Sequence, residues 1–194
     1  MTKEFTDLDD TQLACLAKEG DVSAFEEIYN RHAGGVAKAL ASFAGGDKDL
    51  LDDLTQEVFY RIVSGLSSYV PTYPFTHWLY TVTLNVGRNH VRRCKKVSFF
   101  DANEIEGFSG NNHRGKDWSQ ELIVNRLFRL ASCLPEHLLD VFSLRISSGM
   151  AFGEIAEILG IPEGTARRRM HSALGILRSK IGMQPRSEEE KEKK

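Results

Sequence analysis

Apolar residues recur along this chain at intervals of three and four, and almost nowhere at intervals of two. That pattern predicts helices and nearly excludes strands. A short helix is expected over Leu8–Lys18 and a longer one over Ser23–Phe43, with Ser23 as cap and Glu26 as its capping-box partner. Ala44-Gly45-Gly46 ends the second helix, and Asp47 opens a third that runs to Ser64. Gly65, Pro71 and Pro74 mark a loop over 65–74, and Pro74 starts a fourth helix reaching Lys96. Ser98–Lys116 has no lasting periodicity and reads as a flexible linker. Four more helices are expected over 118–132, 135–148, 151–159 and 163–181. The mixed-charge run Gln184–Lys194 reads as disordered. The predicted fold class is all-α: two small helical domains, 1–97 and 118–183, joined by a flexible linker over 98–117, with the C-terminal domain a helix-turn-helix.

Charge sharpens this division. The 194 residues carry a net charge of only −2, yet residues 1–57 hold 13 acids against 5 Lys/Arg. Residues 58–100 hold no acid, but carry Arg61, Arg88, Arg92, Arg93, Lys95 and Lys96. Residues 101–121 turn acidic again, and 122–183 hold 8 Lys/Arg against 5 acids. Blocks of alternating sign predict separate surfaces for separate partners. The three cysteines, Cys15, Cys94 and Cys133, show neither a disulfide framework nor zinc spacing, so a reducing, cytoplasmic setting is expected. No apolar run is long enough to span a membrane, and the opening MTKEFTDLDD is too acidic for a secretory signal.

The strongest short signal runs from Ala151 to Met170. A first helix buries Ile155, Ala156 and Leu159, Gly160 supplies a turn, and Pro162 opens a second helix. The second helix has an apolar stripe of Ala166, Met170, Ala173, Leu174, Leu177 and Ile181. Its other face carries Thr165, Arg168, His171 and Ser172, side chains suited to base edges in a major groove. Arg167 and Arg169 flank that face at positions suited to phosphates. A solvated basic helix in a plain bundle would show the cations without the Ile-Ala-x-x-Leu-Gly-Ile-Pro-x-Gly-Thr run.

Tyr69, Tyr73, Phe75, Trp78 and Tyr80 fall within twelve residues, beside the acid-free stretch. Aromatics next to cations suit single-stranded DNA, whose unpaired bases stack while its phosphates are held. Phe75, Trp78, Leu79, Val82 and Val86 share one helical stripe, so Trp78 fits a core role better than a base contact. A second stripe, Thr81, Asn85, Arg88, Arg92 and Lys95, could follow a DNA strand. Tyr69 and Tyr73 lie in the loop with no core duty in the pattern, and such a loop could receive a flipped-out base. His90 and Cys94, four apart on a helix, are two possible ligands but not a metal site.

The helix before the loop turns Leu51, Leu54, Val58 and Ile62 to one side and Asp53, Gln56, Glu57 and Tyr60 away from it. An acidic face is of little use against DNA; it suits either solvent or a basic protein partner.

Together these segments resemble the extracytoplasmic-function group of bacterial RNA polymerase sigma factors. The matching pieces are Asp53-Leu-Thr-Gln-Glu-Val-Phe59; Phe75-Thr-His-Trp-Leu-Tyr80 with Asn85 and Arg92-Arg93; Leu134-Pro135-Glu136; and the helix-turn-helix from Phe152 to Ser172. They stand in the family's order over about 10–181. The resemblance implies that 1–97 is sigma domain 2 and 118–183 sigma domain 4. Asp53, Gln56, Glu57 and Tyr60 would dock on the clamp helices of the polymerase beta-prime subunit. Tyr69, Tyr73, Trp78, Asn85, Arg88 and Arg92 would capture and melt the minus-ten element. Thr165, Arg167, Arg168, Arg169, His171 and Ser172 would read the minus-thirty-five element while their domain rests on the beta flap. The linker would pass through the RNA exit path. Such proteins have no active site, no cofactor and no membrane insertion, and many are held by an anti-sigma factor. The chain departs from the family at Ala166, Arg168 and Ser172, and at the two prolines of Tyr69-Val-Pro-Thr-Tyr-Pro74. Arg168 faces the bases, so a shifted promoter preference is expected.

Three other readings compete, one of them an adaptor that binds only proteins through the acidic helix, which leaves the recognition helix unexplained. A stand-alone helix-turn-helix regulator of duplex operator DNA would share the C-terminal half but leave the acidic helix and aromatic loop without a role. A nucleic-acid-processing enzyme would need paired metal-binding carboxylates, a glycine-rich phosphate loop or a nucleophile beside His, and none is visible.

Overall fold

Aspartates open the first three helices. Asp9 caps α1 (Asp10–Lys18), accepting from the Gln12 N–H at 2.8 Å while the Gln12 side chain accepts from the Asp9 N–H. Asp21 caps α2 (Val22–Ala44), and Asp47 caps α3 (Lys48–Gly65). Ser23 is therefore not the cap expected for α2. The Asp21 carboxylate accepts from the N–H groups of Ser23 and Ala24 at 3.1 and 3.2 Å, and its charge also faces the positive end of the helix dipole. α2 stops at Gly45, whose φ of 62° lies in the left-handed region that glycine enters without steric cost.

The computed structural model describes residue 5, residues 7–100 and residues 120–182, and among these every regular element is helical. A short 3-10 turn (Leu66–Ser68) leads from α3 into the proline loop, and α4 (Phe75–Phe100) follows. α4 runs four residues beyond the expected end at Lys96. The rest of the expected linker, 101–117, and the expected charged tail, 184–194, lie outside the described residues. The second half contains α5 (Gln120–Ala131), α6 (Glu136–Phe142), α7 (Phe152–Leu159) and α8 (Glu163–Gly182). The last turn of the helix expected over 135–148 is π-wound at Ser143–Ser147.

Leu13, Ile28, Leu40, Ile62, Phe75, Leu79 and Leu84 are fully buried where α1–α4 meet. Phe142, Leu139, Leu144 and Ile155 do the same for the second half, joined by Ala166, Met170, Ala173 and Leu177 of α8. Each such large side chain contributes roughly 1.5–3 kcal/mol relative to exposure. Ile181, expected on the buried stripe of α8, is instead 52% exposed, because α8 outruns the shorter helices beneath it. Tyr69 also departs from expectation: it is only 3% exposed. Its ring packs edge-on to Phe75 and tilted on Trp78, and its hydroxyl donates to the Tyr73 carbonyl, so it is a core residue with a satisfied polar tip.

The two halves lie directly against one another. α2 packs along the π-wound segment, where Ser143 Oγ donates to the Ala39 carbonyl and the Ser42 and Ser147 hydroxyls stand 3.2 Å apart. α7 packs on α4. Buried residues of both halves join into one continuous cluster.

Candidate nucleic-acid interface

Three surfaces were expected from the sequence, and each is built by a different helix. On α3, Leu54, Val58, Phe59 and Ile62 enter the core. Asp53, Gln56 and Tyr60 stand exposed on the other side, Tyr60 at 70%. Glu57 is half-buried and accepts from Arg61 Nε one turn on. An exposed aromatic among acids presents apolar area inside a negative field, which suits a basic protein surface better than DNA.

The second surface joins the proline loop to α4. Tyr73 is 71% exposed, whereas Tyr69 and the half-buried Trp78 form the wall behind it, their ring centroids 5.4 Å apart. A cleft of about 320 Å³ opens here, lined by Tyr69, Tyr73, His77 and Trp78 and closed on the far side by Glu157 and Ile158 of α7. Thus of the two loop tyrosines only Tyr73 is free to stack on an incoming base. Burial pushes the Tyr69 hydroxyl above its ordinary titration range, so it stays a neutral hydrogen-bond donor.

Further along α4, Asn85 is exposed and its side-chain oxygen accepts from Arg88 Nη1 at 3.1 Å. The Arg88 guanidinium also meets both carboxylate oxygens of Asp140 on α6, at 2.9 Å each. Arg92, one turn on, grips Glu136 in the same forked manner at 2.8 and 2.7 Å. Both arginines therefore pair with the C-terminal half, Arg88 half-buried and Arg92 at an exposed rim. Asp140 is nearly buried, and burial pushes its carboxyl above the usual range, an effect that Arg88 opposes. The side chain of Lys95, the last member of the expected stripe, lies outside the described residues.

The third surface is the start of α8. Thr165 is half-buried, and Arg167, Arg168, His171 and Ser172 are exposed on one side, while Ala166, Met170 and Ala173 are buried on the other. Arg168 Nη2 donates to Thr165 Oγ1 at 3.1 Å, which links two of the expected base-facing groups. Arg167 pairs with Glu163, and its guanidinium lies 4.9 Å over the Phe152 ring, with Arg145 at 4.8 Å from the same ring. Phe152 and Arg145 were not singled out by the pattern, yet they order Arg167 at the edge of the helix-turn-helix. Arg169 is half-buried, and its charge acts on Asp140.

No metal geometry accompanies these surfaces among the described residues, where no group of three or more His, Cys, Asp or Glu converges. His90 Nε2 and Cys94 Sγ are 3.3 Å apart, a contact within α4. Burial holds the His90 imidazole below its ordinary pKa, and Arg93 adds to the effect.

The family model of sigma-70 region 2 matches residues 28–97, and that of sigma-70 region 4 matches residues 130–179. The ECF RNA polymerase sigma-E factor of Escherichia coli is 29% identical over 184 residues, covering 90% of this chain and 95% of the relative. The chain belongs to the extracytoplasmic-function group of sigma factors. The sigma-E factor of Haemophilus influenzae is similar at 28% identity, over 90% of this chain and 96% of its own. Among solved structures, CnrH in complex with the cytosolic domain of CnrY shares the fold, with a TM-score of 0.64 at 23% identity over 91% of this chain and 99% of that one. RpoE of Bartonella quintana, in complex with the anti-sigma factor NepR, aligns with a TM-score of 0.57 at 19% identity, over 82% of this chain and 99% of that one. A sigma factor binds core RNA polymerase and directs it to promoters, so this chain serves DNA-templated transcription initiation. The described helices include none long and apolar enough to cross a membrane.

Proposed function

We propose that this sigma factor distributes its work over the three surfaces just described. Asp53, Gln56, Glu57 and Tyr60 of α3 bind the clamp helices of the beta-prime subunit. Tyr73, Asn85, Arg88 and Arg92, backed by Tyr69 and Trp78, take the melted minus-ten strand. Thr165, Arg167, Arg168, Arg169, His171 and Ser172 face the minus-thirty-five element, with the C-terminal domain resting on the beta flap. The observation that carries this division is the two-sidedness of α3, which pins Leu54, Val58 and Ile62 in the core and leaves an acidic, aromatic face to a protein partner. The chain performs no catalysis itself; the polymerase makes the RNA. It works in the cytoplasm, and an anti-sigma factor of the kind seen bound to RpoE is a further expected partner.

The test is size-exclusion chromatography of the full chain with bacterial core RNA polymerase, beside a variant carrying Asp53→Ala, Gln56→Ala and Glu57→Ala. Co-elution of the parent and its loss in the variant are expected. Co-elution of both would move the main contact off α3. If neither co-elutes and the chain alone binds duplex operator DNA tightly, it works as a stand-alone regulator instead.

A further inference from the structure

The proline loop is tied at both ends to α1, a helix outside all three surfaces. Val70, Pro71, Thr72, Tyr73 and Pro74 are exposed, while Tyr69 and Phe75 on either side of them are buried. α1 reaches both flanks. Lys18 Nζ donates to the Tyr69 carbonyl at 2.9 Å, and Thr11 Oγ1 accepts from the Phe75 N–H at 3.4 Å. The second contact is long but meets a need: Phe75 opens α4, and its N–H has no acceptor inside that helix. Burial pushes the Tyr69 hydroxyl up in pKa, and Thr11 opposes that push, so Thr11 acts on both flanks. The same hydroxyl donates to the carbonyl of Tyr73, the exposed aromatic of the loop.

Thr11 and Lys18 stand seven residues apart on α1, close to two full turns. They therefore project from one face, about 10 Å apart along the axis. Leu13 and Ala14 between them are fully buried and fix the helix in the core. One rigid element thus sets where the loop begins and where it ends.

We propose that α1 is the positioning element of the base-receiving loop, with Lys18 and Thr11 holding its two ends and, through them, the pose of Tyr73. The proposal rests on the reading of Tyr73 as a minus-ten contact. Both residues act through the loop. A base is captured only by molecules whose loop holds the competent pose, so the base-specific part of binding scales with that fraction. Contacts to the DNA backbone elsewhere on α4 do not depend on it. Loosening an anchor then weakens the preferred minus-ten sequence more than poor ones, whereas losing a phosphate contact weakens every sequence alike.

The test reconstitutes holoenzyme from the full chain and bacterial core RNA polymerase. It transcribes a promoter library randomised in both the minus-ten and the minus-thirty-five elements, and the transcripts are sequenced. Lys18→Met and Thr11→Val are made singly, beside Lys18→Arg and Thr11→Ser, which keep the donor and the hydroxyl, and beside Tyr73→Ala. Lys18→Met and Thr11→Val are each expected to flatten the minus-ten preference about fivefold, as a fall of the competent fraction to about one fifth produces. The minus-thirty-five preference and co-elution with core polymerase should stay as in the parent, and Lys18→Arg and Thr11→Ser should keep the parent profile at both elements. An unchanged minus-ten profile in either Lys18→Met or Thr11→Val overturns the proposal, and so does equal flattening at both elements. Uniform weakening on every promoter with preferences intact also overturns it, since Lys18 is then a phosphate contact. Failure of the underlying reading shows differently, as a Tyr73→Ala variant that keeps the parent's minus-ten preference.

Discussion

The ring of Phe43 on α2 lies flat against Gly87 on α4, where an added Cβ would meet three ring carbons at 2.6–2.8 Å. The two helices cross this closely because position 87 has no side chain, and the backbone of α4 is one wall of the Phe43 site. Gly87→Ala would gain the helical preference of alanine, about 1 kcal/mol, but must displace a buried ring. Overpacking of that kind costs about 1–3 kcal/mol, so a net loss is expected, read as a lower midpoint in urea unfolding. Gly175→Ala is the counterpart: it sits exposed on α8 with open space around its Cβ position and should raise stability by about 0.5–1 kcal/mol. Equal shifts for the two would show that the crossing is not tight.

Removing Arg88 should do more harm than its half-exposed position suggests. Arg88→Ala leaves the Asp140 carboxylate buried beside apolar neighbours without its two hydrogen bonds, and about 1–3 kcal/mol of stability should be lost at neutral pH. Burial already raises the Asp140 pKa, and without Arg88 only the weaker pull of Arg169 opposes it. The folded variant then holds a proton that the unfolded chain releases, so its stability falls as pH rises through the folded value. The gap between parent and variant should therefore narrow from neutral pH toward about pH 5. Urea midpoints at the two pH values measure it, and a gap independent of pH would mean that Asp140 is not the group left unpaired.

His90 carries the opposite sign. Its imidazole is held below the ordinary value of 6.5, first by burial and then by Arg93, against a smaller pull from Asp47. The unfolded chain takes up this proton before the folded one, so the His90 contribution to stability is present above about pH 6.5 and is lost as pH falls below it. His90→Gln should flatten the dependence of stability on pH over that range relative to the parent. An unchanged slope would assign the acid sensitivity to other groups.

Arg168 is exposed on α8 and donates to Thr165, and it is proposed above to face the bases of the minus-thirty-five element. Arg168→Ala should cost about 1–3 kcal/mol of discrimination between minus-thirty-five sequences while leaving association with core polymerase intact. Transcription in vitro from a set of promoters randomised in that element measures it. Weakening by the same factor on every promoter would make Arg168 a phosphate contact instead.

Much of the architecture was legible because it depends on local spacing. The helix-turn-helix needed only Ile155, Ala156, Gly160, Ala166 and Met170 at their intervals, and all five lie as the pattern required: four buried, and Gly160 turning at a φ of 62°. The exposed face of α3 follows from the burial of Leu54, Val58 and Ile62 in the same way. Local reading failed where a residue answers to something distant or to a competitor. Tyr69 looked like a loop aromatic because it stands in a stretch broken by Gly65, Pro71 and Pro74, outside any apolar stripe, yet Phe75 and Trp78 fold back to bury it. Ser23 and Asp21 both stood where a cap can stand, and the charged carboxylate took the place.

The sequence by itself determined that this protein is helical, where most of its helices begin and end, and which family it resembles, since these depend on periodicity, caps and short motifs within a few turns. It also held in view both sides of two ion pairs: two arginines four apart in an acid-free stretch, and two acids four apart on a later helix. Only the tertiary structure decided that they meet. Arg88 and Asp140 are 52 residues apart in the chain, and a forked ion pair forms only when packing brings α4 and α6 side by side in register and removes the water between them.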